Sequence, residues 1–178
     1  MLLFLIVAAI GILPGLVWLI FFVEEDDRPE PLKDILITLL IAVLTTLVLA
    51  EVLQILSLFL RDHGISNLIF DSKFSNPEFF RFPEYATLLG LAFSEELVKF
   101  LAVFIGVRKL ADFDQPVDVM VYLIVAAMGF AMVENIGANL QVIEASPALG
   151  TVVQVTVIRF IGAALLHGLA SGTMGYYW

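Results

Sequence analysis

Long apolar runs separated by short polar stretches dominate this chain. The five runs cover about residues 1–23, 35–60, 85–107, 119–142 and 151–176. Each is long enough for a helix to cross the hydrocarbon core of a bilayer, which takes roughly 17–25 residues. The pattern predicts an all-α membrane protein, a polytopic bundle of about five transmembrane helices. No intervening stretch suits a soluble domain, so residues 1–178 are predicted to form a single transmembrane domain.

The first apolar run differs from a secretory signal peptide. It lacks a basic segment at its start, and the acidic residues 24–27 follow it in place of a small-residue cleavage site. We therefore expect the run to be retained as a transmembrane helix.

An aromatic-rich segment separates the second and third runs. Residues 61–84 mix charged residues and prolines with Phe70, Phe74, Phe79, Phe80 and Phe82. Aromatic side chains favour the boundary between lipid and water. The segment is predicted to lie in that interface, either as a structural belt or as a cap over a membrane-embedded substrate.

Composition agrees with a membrane protein and excludes several functions. The 178 residues are 61% hydrophobic and 15% charged, and the mean hydropathy is +1.01. The chain holds 9 basic and 18 acidic residues without a basic block, so nucleic acid is not an expected partner. The absence of cysteine excludes disulfides and thiolate chemistry. The expected surroundings are the lipid bilayer, and the oligomeric state is left open.

The third run contains three charged residues, Glu95, Glu96 and Lys99. Its roughly twelve large apolar residues each favour insertion by about 0.3–0.6 kcal/mol, whereas each charge near the centre costs about 2.5–3.5 kcal/mol. The three charges together cost at least as much as the apolar residues gain, so neighbouring helices must satisfy them. Ionisable groups inside a membrane indicate a functional site.

Further polar residues lie at a similar depth in the fourth and fifth runs. Consecutive helices run antiparallel, and at 1.5 Å per residue Glu95 lies about 15 Å and Glu134 about 12 Å from the same membrane face. His167 lies somewhat deeper, within side-chain reach of that layer. Three helices are therefore predicted to bring carboxylates, an amide, an imidazole and two cations together. The set is Glu95, Glu96, Lys99, Glu134, Asn135, Arg159 and His167.

The charges of this cluster leave its chemistry open. Three glutamates against Lys99 and Arg159 leave one net negative charge when His167 is neutral. A divalent metal with hydroxide would cancel that charge, and so would protonation of one glutamate. An ion- or proton-coupled transporter or channel would use the same groups, and it is the alternative to a hydrolase.

Three motifs resemble the PrsW family of intramembrane proteases. They are Glu95-Glu96-x-x-Lys99, then Phe130-x-x-x-Glu134-Asn135 in a helix headed by Asp118, and a late His167 in a glycine-rich helix. The resemblance also extends to the CAAX prenyl proteases and bacteriocin-processing enzymes, although Glu134 stands where CAAX-type relatives have histidine. It implies hydrolysis of a peptide bond of a membrane-anchored protein, such as an anti-sigma factor. The implied location is the cell membrane of a prokaryote, as a multi-pass protein.

The requirements of amide hydrolysis suggest a role for each residue of the cluster. Zinc held by glutamate and histidine ligands would activate a water molecule. We expect Glu96, Glu134 and His167 to be the ligands, Glu95 the general base and Asn135 the oxyanion donor. The roles of Glu95 and Glu96 are interchangeable at this point, because adjacent helical residues point about 100° apart and either could face the site. Lys99 and Arg159 would neutralise and orient the carboxylates. A metal-free mechanism driven by glutamate remains the alternative to zinc.

Overall fold

The protein is a bundle of helices. The structure, a computed structural model, describes residues 2–25, 28–62, 82–107, 115, 117–145 and 148–178. The α-helices are α1 (Leu2–Glu24), α2 (Leu32–Asp62), α3 (Phe82–Leu101), α4 (Asp118–Ala145), α5 (Leu149–Arg159) and α6 (Leu166–Tyr176). A π-helical turn extends α3 over Ala102–Val107, and a second one, Phe160–Leu165, joins α5 to α6.

The predicted all-α membrane architecture is confirmed. Within the described residues, four helical segments are long and apolar enough to cross a membrane: Leu2–Glu24, Leu32–Leu49, Asp118–Ala145 and Leu149–Tyr176. Their outer faces expose large apolar side chains, as helices in lipid do. The third predicted span forms a helix as well, but its three charges lower its apolar character. The span count of five therefore stays a prediction, as does the single domain.

Helix α4 is the centre of the bundle. Within the most apolar part of each spanning segment, 72% of the residues of α4 are buried, against 28%, 22% and 17% for the other three. Helices α1, α2, α3, α5 and α6 all pack against it. The motif Glu134-Asn135 lies on α4. Its central position lets this motif contact polar residues of the surrounding helices.

Glycines allow the neighbouring helices to approach α4 closely. A Cβ atom built on Gly15 of α1 would lie 2.6 Å from Cγ of Met132, and one built on Gly175 of α6 would lie 2.5 Å from Cα of Met120. A side chain larger than the hydrogen of glycine would collide at these positions. The glycines therefore let the helices come close enough for the van der Waals packing on which helix association in lipid depends. Gly15 and Gly175 therefore lie where α1 and α6 pack against α4.

We expect Gly175→Ala to destabilise the protein by about 1–3 kcal/mol, because the obstructing atom belongs to the α4 backbone and cannot rotate away. The measurement is the thermal unfolding midpoint in detergent. Gly137→Ala is the matched control, since a Cβ there meets no atom within 4 Å. Equal midpoints for the two variants would contradict the close contact of α6 with α4.

The aromatic segment between α2 and α3 cannot be compared with its prediction. Residues 63–81 of the predicted interfacial segment lie outside the described residues. The structure gives the helices on either side of it, which end at Asp62 and begin at Phe82.

Candidate metal and catalytic site

The charged residues of α3 are paired within the bundle. Nζ of Lys99 lies 2.6 Å from Oε1 of Glu96, one helical turn before it. Ser171 of α6 donates its hydroxyl hydrogen to the other oxygen of Glu96 at 2.6 Å. Lys99 is 2% exposed and Ser171 is fully buried, so α3 and α6 share a buried polar contact. This pairing compensates the cost of placing a lysine and a glutamate in an apolar helix.

Lys99 also orients the imidazole of His167. Its Nζ lies 2.8 Å from Nδ1 of His167 and 4.4 Å from the centre of the Phe130 ring. An ammonium group has only hydrogens to donate, so Nδ1 accepts and Nε2 carries the ring hydrogen. Nε2 lies 3.1 Å from Oε2 of Glu134. The ring is therefore held from one side and directed at Glu134 from the other.

Arg159 holds the two adjacent polar residues of α4. Its Nη2 donates to Oε2 of Glu134 at 3.2 Å, and its Nε donates to Oδ1 of Asn135 at 2.5 Å. Because Arg159 occupies Oδ1, the amide nitrogen of Asn135 is left as a donor. Nδ2 is buried and has no hydrogen-bond partner within the described part of the chain. An unpartnered buried donor costs free energy, and a ligand or substrate oxygen could satisfy it.

A polar pair further along α4 joins this helix to α5. Asn139 and Thr156 exchange hydrogen bonds at 2.9 and 3.1 Å, and both side chains are buried. Asn139 lies one turn after Asn135, and Thr156 lies one turn before Arg159. The pair therefore sets the register of α5 on α4 that Arg159 requires.

Glu95, Glu134 and His167 form the one group of potential metal ligands found among the described residues. Each contributes one ligand atom, these atoms all lie within 4.8 Å of one another, and the three side chains are half-buried. Carboxylate oxygens and imidazole nitrogens are both zinc donors, and three protein ligands is the number that catalytic zinc sites use. The residues therefore fit a divalent metal, which Nε2 of His167 would bind after releasing its hydrogen, because a ligand nitrogen must be deprotonated.

Comparison with known proteins decides the family. The family model described as PrsW family intramembrane metalloprotease matches residues 30–178. This chain belongs to the PrsW family. Protease PrsW of Geobacillus kaustophilus is 28% identical over 169 residues, which are 94% of this chain and 63% of that protein. The chain thus spans less than two thirds of this PrsW relative's length. No solved structure matches the chain.

Membership of the PrsW family agrees with the resemblance seen in the sequence motifs. All three motifs lie inside the matched range. The wider relation to CAAX prenyl proteases and bacteriocin-processing enzymes stays a prediction.

The structure brings all seven sequence-predicted residues into one connected group, but it separates the two adjacent glutamates. Glu95 lies with Glu134 and His167, whereas both oxygens of Glu96 are engaged by Lys99 and Ser171. The sequence interpretation takes Glu96 as the ligand and Glu95 as the base, and it leaves open an exchange of these two roles. Which of the two binds a metal stays a prediction.

Ser171 is the contact that sequence reasoning misses. A usable signal exists, because Ser171 lies four residues after His167 and therefore on the same face of a helix. In the structure its hydroxyl fixes Glu96 to α6.

Proposed function

We propose that this PrsW-family chain is an intramembrane metallopeptidase that hydrolyses a peptide bond of a membrane-anchored protein. The observation that carries the proposal is the ligand group Glu95, Glu134 and His167 beside the unpartnered amide of Asn135. Family membership supports the peptidase over the transporter interpretation. An anti-sigma-factor-like protein is the proposed substrate, and the cell membrane of a prokaryote is the proposed location.

The metal would be held by Glu95, Glu134 and Nε2 of His167, and the ring hydrogen on Nε2 would be released when the metal binds. When bound, a divalent ion such as zinc lowers the pKa of a water molecule and polarises a carbonyl oxygen. Lys99 and Arg159 carry two positive charges beside the three glutamates. They leave one net negative charge, which favours a cation at this place.

The proton transfers can be assigned to Glu95. A carboxylate has two oxygens, so one can bind a metal while the other accepts a proton from the attacking water. The same oxygen can then pass the proton to the leaving amine. Each oxygen of Glu96 already accepts one hydrogen bond, from Lys99 or Ser171, which makes Glu96 the less suitable proton acceptor.

Asn135 is the proposed donor to the tetrahedral oxyanion. Arg159 fixes the amide by its oxygen, so Nδ2 is oriented before substrate arrives. Preorganised donors of this kind contribute about 2.7–4 kcal/mol to the stabilisation of a transition state.

The metal content of the detergent-purified protein tests this proposal. We expect about one zinc per chain by mass spectrometry, lost in Glu134→Ala and His167→Ala because each removes a ligand. Glu51→Ala is the control, since Glu51 is an exposed acid on α2. Folded protein that cleaves a single-span substrate without stoichiometric metal would exclude the metal mechanism. It would leave the metal-free glutamate mechanism.

A further inference from the structure

Arg159 and His167 contact the same oxygen of Glu134 although their spacing does not suit a regular helix. They are eight residues apart, and at about 100° per residue an α-helix would turn them roughly 80° away from each other. Their nitrogens nevertheless lie 3.2 and 3.1 Å from Oε2 of Glu134. Some irregularity between them must correct the angle.

The π-helical turn Phe160–Leu165 provides that correction. A π-helical turn bonds residue i to residue i+5, so it takes up one residue more than an α-helical turn. One additional residue corresponds to roughly 100° of rotation. Subtracting it brings Arg159 and His167 to within about 20° of each other, on the face that meets α4.

Trp18 of α1 contacts the beginning of this turn. Its indole N–H donates to the main-chain carbonyl of Phe160 at 2.8 Å, and its ring stacks on that of Phe160 with centroids 5.1 Å apart. A π-helical turn interrupts the regular main-chain hydrogen bonds, and lipid offers no water to replace them. A donor from a neighbouring helix stabilises such an interruption.

We propose that Trp18 is a positioning residue for the metal site, acting through the Phe160–Leu165 turn. Its hydrogen bond favours the π-helical conformation, and that conformation directs His167 at Glu134 together with Arg159. Trp18 itself lies in the first transmembrane helix and belongs to none of the PrsW motifs. The inference rests on the proposed function, since it assumes that Glu134 and His167 bind the metal.

The first test is Trp18→Phe, which keeps an aromatic ring for stacking and removes the N–H. Zinc affinity of the full chain in detergent is measured by competition with a chelating dye. We expect at least about tenfold weaker binding, the typical loss when a residue that orients a ligand is changed. Trp178→Phe is the matched control. Trp178 is the second of the chain's two tryptophans and follows the end of α6, so this change should leave zinc affinity unchanged.

The second test removes the need for the π-helical turn. Deleting Gly162 places Arg159 and His167 seven residues apart, which aligns them in a regular α-helix. Gly162 is exposed, and no atom lies within 4 Å of its Cβ position, so the deletion removes no side-chain contact. We expect the deletion variant to bind zinc, and Trp18→Phe to have no further effect on affinity in that background. A purely structural role of Trp18 would instead weaken both backgrounds equally.

Three results would overturn the inference. They are unchanged zinc affinity in Trp18→Phe, an equal loss in both backgrounds, and a Gly162 deletion that fails to fold. Failure of the proposed function is distinguishable, because there the unmodified protein itself would bind no zinc.

Discussion

Glu95→Gln is expected to lose stoichiometric metal and nearly all cleavage activity. The substitution removes a charged ligand from the group of Glu95, Glu134 and His167 while keeping the size of the side chain. It also removes the proposed proton acceptor, and loss of a general base alone costs about 10²–10⁴-fold in rate. Metal analysis and single-turnover cleavage of a single-span substrate measure the two effects separately.

Glu96→Gln is the matched variant, one position along the same helix. Its carboxylate contacts Lys99 and Ser171, so its loss should disturb the orientation of His167 without removing a ligand. We expect metal to be retained with affinity weakened by about 10–100-fold. The opposite result, metal lost in Glu96→Gln and retained in Glu95→Gln, would restore the assignment made from sequence.

Lys99→Met is expected to destabilise the folded protein by about 3–5 kcal/mol. Lys99 is 2% exposed and pairs with Glu96 at 2.6 Å, so its removal leaves a carboxylate without its counter-ion inside the bundle. The thermal unfolding midpoint in detergent should fall accordingly. Lys33→Met is the control, because Lys33 is exposed near the start of α2 and should tolerate the change.

The double variant Lys99→Met/Glu96→Gln separates the charge effect from the loss of packing. Removing both members of a buried pair is far less costly than removing one. Most of the lost stability should therefore return, although the contact from Lys99 to His167 remains absent. A double variant as unstable as Lys99→Met would show that packing of the lysine chain, not its charge, stabilises this region.

The fold is largely predictable from the sequence. Apolar runs of transmembrane length have few alternatives to a helix, because lipid cannot satisfy exposed main-chain groups. The predicted run 119–142 corresponds to α4, Asp118–Ala145, and the run 151–176 to the continuous segment Leu149–Tyr176. The bounds differ by a few residues, since hydropathy does not specify where the first and last turns form.

The membership of the polar group is also predictable. Helix length converts sequence position into depth, so counting residues along each helix places Glu95, Glu134 and His167 near one level. The structure brings them together in the described part of the bundle. Depth, however, is only one of the two coordinates that locate a side chain on a helix.

The other coordinate, rotation about the helix axis, was decided by the tertiary structure. Adjacent residues point about 100° apart, so the way α3 packs determines that Glu95 meets Glu134 and His167 while Glu96 meets Ser171. The π-helical turn at 160–165 changes the rotation again, and sequence periodicity assumes a regular helix throughout. The sequence by itself thus determined the helices, their polar residues and the depth of those residues. Which side chains face one another depends on contacts between helices, such as that of Trp18 with Phe160, and periodicity along one helix carries no information about them.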